Sequence, residues 1–183
     1  NYVFAKKVET NCRKLGVAPA TIAVLDGKIH VGLNQKELKR VCQSQKILKL
    51  SKRDLPFAIL KKQSGATTVS ASIWIAYNAG LFVFSTGGIG GVHRGYKDTL
   101  DMSQDILSLQ NTPIIVVSSG VKSFLDVDKT VEALETVGVT QLGYKTDKFP
   151  LFYSGSSNIE LPYKTLAYAE KTYFFLCLID IRL

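Results

Sequence analysis

Short apolar segments alternating with amphipathic helical stretches predict an α/β layered fold, with a largely parallel central sheet flanked by helices. Three observations carry this expectation. Residues 81–85, 113–117 and 139–144 are short, nearly uniform apolar runs, the pattern of strands buried on both faces. Helix-like patterns separate these runs. Glycines at 16, 80 and 138 stand where a helical pattern stops.

Taken in order, residues 1–15 predict a helix, with Val8, Cys12 and Leu15 inside and Lys6, Lys7, Arg13 and Lys14 in water. Residues 21–25 read as a buried strand, Asp26-Gly27 as a tight hairpin turn, and residues 28–33 as the partner strand. Residues 35–47 predict a helix with Leu38, Val41 and Leu48 on one face. Residues 67–80 read as a buried helix or a strand, with helix preferred, and 81–85 as a strand, followed by the glycine cluster at 87–91. A helix over 101–110 puts Ile106, Leu107 and Leu109 inside. A strand at 113–117, a helix over 121–137 and a strand from 139 follow. The apolar run at 172–179 is far below the ~20 residues a bilayer span needs.

The chain has 183 residues, 46% hydrophobic and 21% charged, which fits one globular domain and argues against disorder, collagen or coiled coil. Its 3 Cys are too scattered for a disulfide scaffold or a zinc spacing, so a reducing, cytoplasmic setting is expected. The net charge of +8 invites an acidic partner, but it is unevenly placed. Residues 1–62 hold 14 Lys and Arg against 4 Asp and Glu, whereas residues 63–183 hold 9 against 11. The basic cluster Lys49-Leu50-Ser51-Lys52-Arg53-Asp54 fits phosphate recognition or a solvated loop. It lacks the interleaved aromatics of a single-strand nucleic-acid site. No nucleic-acid or membrane partner is therefore expected.

Ligands of open α/β sheets gather beyond the carboxyl ends of the strands, and three segments fall there. The stretch from Ser85 through Gly87-Gly88-Ile89-Gly90-Gly91 to His93 and Arg94 lets backbone N–H groups approach an anion. It matches neither a Walker loop nor a dinucleotide fingerprint, and a structural turn explains it equally well. Asp101 and Asp105, four apart on an expected helix, would present both carboxylates from one face. That arrangement suits a hard, hydrated divalent cation, or simply helix capping. Lys122 follows an apolar strand and a glycine, where a helix start disfavours a second positive charge. A neutral amine there could form a Schiff base, and a solvated surface lysine is the alternative.

Together and in this order, these segments resemble the pseudouridine 5′-phosphate glycosidases. The quoted motifs are joined by Gly16-Val17-Ala18-Pro19-Ala20-Thr21, Gly65-Ala66-Thr67-Thr68-Val69, Asp101-Met102-Ser103-Gln104-Asp105, Gly120-Val121-Lys122-Ser123 and Phe149-Pro150-Leu151-Phe152-Tyr153. The resemblance implies reversible cleavage of the C–C glycosidic bond of pseudouridine 5′-phosphate to uracil and ribose 5-phosphate. It implies a lysine Schiff base at Lys122 and a divalent metal, typically Mn2+, on Asp101. Lys49, Val69, Ser103, Gln104 and Asp105 would bind substrate, with His93 as a further polar contact. It also implies a homotrimer.

The family carries a Glu-Ser-Thr-Ile motif upstream of the position of Asn1, whose Glu is the proton donor. The chain is accordingly expected to be a family domain over residues 1–163 lacking its N-terminal and C-terminal portions, with a divergent tail at 164–183. An inactive phosphosugar-binding fragment is the alternative function, and a nucleic-acid binder using residues 1–62 is a third.

Overall fold

The computed structural model describes residues 1–164 and, for their backbone alone, residues 165 and 176–179. The chain divides into two compact units, residues 1–75 and 76–183, each with its own sheet. The α/β class expected from the sequence is what the structure shows.

In the first unit, α1 (Tyr2–Lys14) packs Tyr2 and Ala5 against a cluster of Ala23, Leu25, Leu33 and Leu38, and Cys12 is half-buried. This corrects the expected face: Val8 is 45% and Leu15 81% exposed. The half-buried face of the helix runs through Tyr2, Ala5, Glu9 and Cys12, and the Thr21 hydroxyl donates to the Glu9 carboxylate on it at 2.6 Å. Strands β1 (Ile22–Leu25) and β2 (Lys28–Val31) form the expected antiparallel hairpin about Asp26 and Gly27, both at positive φ.

Helix α2 (Gln35–Gln43) starts at a complete capping box between Asn34 and Glu37. It ends earlier than expected. Ser44 is extended, and Leu48 belongs instead to β3 (Leu48–Leu50), which pairs in parallel with β4 (Gly65–Thr67). Between them lie a 3-10 turn (Lys52–Asp54) and α3 (Leu55–Leu60), whose Pro56 occupies the first turn, where no N–H is missed. Helix α4 (Val69–Asn78) follows, as the apolar run predicted. The sheet order is β2-β1-β4-β3, over a core of Val24, Leu50, Leu55, Ala58, Ala71 and Ile75.

The second unit holds the parallel sheet, in the order β10-β7-β11-β6-β5. Its strands are β5 (Val83–Ser85), β6 (Ile115–Ser118), β7 (Gln141–Tyr144), β10 (Tyr163–Thr165) and β11 (Leu176–Ile179). Of the apolar run at 172–179, residues 176–179 form β11 and the rest lie outside the described residues. A separate antiparallel pair joins β8 (Lys148–Pro150) to β9 (Ser156–Glu160).

A short α5 (Tyr96–Thr99) precedes α6 (Gln104–Asn111), which buries Ile106, Ser108 and Leu109. Leu107, expected inside, is 47% exposed, because burial of 105, 106, 108 and 109 turns it outward. Helix α7 (Val127–Thr136) buries Thr130, Val131 and Leu134.

Candidate active site

The loops that leave β5 and β6 at their carboxyl ends meet over several residues. Thr86 N–H donates to Val117 O, Ser119 N–H to Gly87 O, and Ile89 N–H to Gly120 O, at 2.9–3.0 Å. Lys122 N–H then donates to Ile89 O at 3.3 Å. The glycine loop and the lysine segment are thus laced together by backbone bonds. Ile89 and Val121 form a parallel bridge beyond the sheet proper.

The acidic segment closes the other side. Ser103 N–H donates to Gly91 O at 2.9 Å and His93 N–H to Asp101 O at 3.0 Å. The buried Asp105 carboxylate accepts from Gly90 N–H at 2.9 Å. This approach requires glycine: a Cβ on Gly90 would come within 2.6 Å of Ser103 Cβ. Ser103 caps α6, its hydroxyl accepting from Asp105 N–H at 3.2 Å.

Two expectations are corrected here. Asp101 and Asp105 do not share a helical face, since α6 begins at Gln104 and Asp101 lies before it, next to the isolated bridge of Met102 with Val92. Asp105 points into the glycine loop, whereas the Asp101 side chain is 62% exposed, with Oδ2 3.7 Å from His93 Nδ1. Nor does a helix begin at Lys122. Asp126 caps α7 by accepting from Lys129 N–H at 3.2 Å, and the helix starts only at Val127. Lys129 beside Asp126, through its ammonium and then its N–H, holds that carboxyl below the usual range. Lys122 is half-buried in the turn that precedes it.

His93 is half-exposed, its ring 6.0 Å from that of Phe124. Arg94 reaches the Ser123 carbonyl at 3.5 Å, tying the same two loops on the outer side. One buried polar residue escaped the sequence reading. Thr130, inside α7, accepts from Val92 N–H at 2.9 Å and donates to Asp126 O at 2.6 Å. Its only sequence signal is a hydroxyl among the inward positions Val131 and Leu134.

Lys49 and Val69 belong to the first unit. Lys49 is exposed on β3 opposite Ala66 of β4, and Val69 opens α4 directly after that strand. The two stretches are joined where Thr68 N–H donates to Leu50 O at 2.8 Å. Beside them Lys52 stands over the Trp74 ring at 5.8 Å, and Asp54 is held below its usual pKa chiefly by the Ser51 hydroxyl.

Among the described residues, no group of three or more His, Cys, Asp and Glu could hold a metal ion. A hard ion that keeps most of its waters needs only one or two carboxylates, and the exposed Asp101 offers one. The donor set therefore fits a hydrated divalent ion and not a dehydrated cage.

Fold and site together define an α/β protein whose amine-bearing and glycine-rich loops are bound to each other at the carboxyl ends of parallel strands. The chain belongs to the indigoidine synthase A-like protein family, which matches residues 1–175. It is 51% identical over 163 residues to the pseudouridine-5′-phosphate glycosidase of Alkaliphilus metalliredigens, covering 89% of this chain and 53% of that one. With the enzyme of the same name from Dinoroseobacter shibae it shares 44% identity over 174 residues, 95% of this chain and 57% of that one.

Among solved structures it resembles the prealnumycin C-glycosynthase AlnA in complex with ribulose 5-phosphate. That match has a TM-score of 0.91 and 36% identity, over 100% of this chain and 64% of that one. It also resembles an indigoidine synthase A-like protein of Thermotoga maritima, with a TM-score of 0.87 and 31% identity, over 97% of this chain and 63% of that one. The chain spans about half the length of the curated relatives it matches. Among the described residues, no helix is long and apolar enough to cross a membrane.

Proposed function

We propose that this protein is a pseudouridine-5′-phosphate glycosidase, reversibly cleaving the C–C glycosidic bond to give uracil and ribose 5-phosphate. The observation that carries the reading is the bond from Lys122 N–H to Ile89 O, which docks the amine-bearing segment on the glycine–histidine loop. The names of the relatives support it, as does the pentose phosphate held by the similar AlnA.

A C-glycoside offers no heteroatom leaving group at the anomeric carbon, so the two-carboxylate route of ordinary glycosidases is poorly suited. Lys122 Nζ would instead attack C1, and the ring oxygen would leave carrying a proton. The nitrogen lone pair then expels uracil as its C–C bond breaks. Uracil C5 takes up a proton, and water hydrolyses the iminium to ribose 5-phosphate and the free amine. Lys49, Val69, Ser103, Gln104 and His93 would bind the substrate, and Asp105 would line the site through the loop it holds. Asp101 would hold a divalent ion, manganese by family resemblance, whose bound charge helps to fix anionic oxygen. Homotrimeric assembly and a cytoplasmic setting belong to the same proposal.

Borohydride reduction in the presence of pseudouridine 5′-phosphate and Mn2+ tests the reading. A pentose-phosphate adduct at Lys122, absent in Lys122→Ala, is expected, with release of uracil. No adduct at Lys122 sinks it. An adduct without uracil turnover would mark a phosphosugar-binding protein instead.

A further inference from the structure

We propose that Thr130 is a positioning residue that sets the backbone beneath His93, an assignment that rests on the glycosidase reading above. The Thr130 side chain is fully buried, and its hydroxyl is used both as acceptor, from another loop, and as donor, within the start of α7. It accepts from Val92 N–H at 2.9 Å and donates to Asp126 O at 2.6 Å, one turn back in α7. The first bond ends on the residue before His93. The second ends on the residue that caps α7 and directly follows the turn that Leu125 N–H closes on Lys122 O.

Packing enforces the same register. Gly91 lies flush on Thr130: a Cβ there would stand 3.0 Å from Thr130 Cβ, with the hydroxyl and methyl closer still. Around this contact the loop is pinned on every side. Ser103 N–H donates to Gly91 O, Asp126 N–H to Val92 O and His93 N–H to Asp101 O. The Val92 N–H is the group in this set that a side chain holds.

Helix stability alone does not explain a threonine here. A hydroxyl bonded back to the preceding turn slightly destabilises a helix, and a buried apolar residue of the same shape would pack without needing a partner. What the hydroxyl adds is the tie to the glycine–histidine loop. Because a displacement of about 1 Å can cost on the order of 10²-fold in rate, that tie bears on turnover more than on binding.

The test compares Thr130→Val, which keeps the shape and removes the hydroxyl, with Thr130→Ser, which keeps the hydroxyl. Expected is a fall in kcat of roughly 10–100-fold for Thr130→Val, with KM changed far less and Lys122 trapping slowed in parallel. Thr130→Ser should recover most of the rate. Hydrogen exchange at the Val92 amide should quicken in Thr130→Val and stay slow in Thr130→Ser. If Thr130→Val does not fold, Thr130→Ala takes its place in both measurements. Equal rates and equal Val92 protection in the hydroxyl-free and hydroxyl-bearing variants overturn the assignment. If the wild type neither forms the Lys122 adduct nor releases uracil, the glycosidase reading fails, while the Val92 exchange still decides whether Thr130 holds the loop.

Discussion

The buried carboxylate of Asp105 accepts the Gly90 backbone N–H at 2.9 Å, so the first turn of α6 holds the middle of the glycine loop. The preceding residue is bonded in the opposite direction, with Ile89 O accepting from Lys122 N–H. One peptide segment therefore fixes the distance between the acidic and lysine-bearing sides of the site. Substitutions at either end of the Gly90–Asp105 bond should be felt at both.

Gly90→Ala places a Cβ 2.6 Å from Ser103 Cβ and 2.9 Å from Asp105 Oδ2, closer than packed atoms tolerate. The expected loss is about 1–3 kcal/mol from overpacking, read as a lower urea midpoint. Asp105→Ala leaves the buried Gly90 N–H without its charged acceptor and should cost about 1.5–3 kcal/mol. A midpoint unchanged in both variants would contradict this account of the loop.

Asp26 supplies a pH dependence on the first unit. The Arg40 guanidinium, hydrogen-bonded to both its carboxylate oxygens, lowers its pKa from 3.8 to about 2, with smaller help from the Ser64 hydroxyl. A depressed folded-state pKa means that stability is present above the unfolded value and is lost as pH falls through the folded one. The urea midpoint of the wild type should therefore fall between pH 3.8 and about 2, and Asp26→Asn should flatten that portion of the curve. The pair is exposed, so added salt should diminish the difference. Parallel curves for the two proteins would show that the pair contributes nothing.

Asp126 begins α7 by accepting from Lys129 N–H at 3.2 Å. Asp126→Ala removes the cap and should cost about 1 kcal/mol, whereas Asp126→Asn keeps an acceptor and should cost less. Thermal denaturation of the three proteins side by side reads the order. Asn behaving like Ala would assign the effect to the charge facing Lys129.

Asp101→Asn tests the metal assignment without touching the core, since the side chain is 62% exposed. Mn2+ affinity, followed by the loss of free-ion electron paramagnetic resonance signal, should fall about 10-fold or more while the melting temperature is unchanged. Equal titrations for variant and wild type would remove Asp101 as a ligand.

The short apolar strands, the Asp26-Gly27 hairpin and the glycine loop were legible because each rests on local chemistry: period, turn residues and backbone freedom. The family followed from the motifs of that loop and its neighbours. The starts of α6 and α7 were not legible. Asp98, Asp101, Ser103 and Asp105 are all residue types that can cap a helix, and nothing local chooses between them. The choice falls on Ser103 where its N–H meets Gly91 O, a contact made by another loop.

That same competition governs the rest of the site. From residue types alone, Asp101 and Asp105 could be a carboxylate pair, and Lys122 could open a helix. The folded chain instead turns Asp105 inward to the Gly90 N–H, leaves Asp101 beside His93 and puts Lys122 in a turn ahead of Asp126. Sequence by itself determined the alternation of strand and helix, the family and the residue types available for chemistry. Tertiary structure decided which of them face one another, because buried N–H groups at 90 and 92 had to find acceptors and took Asp105 and Thr130.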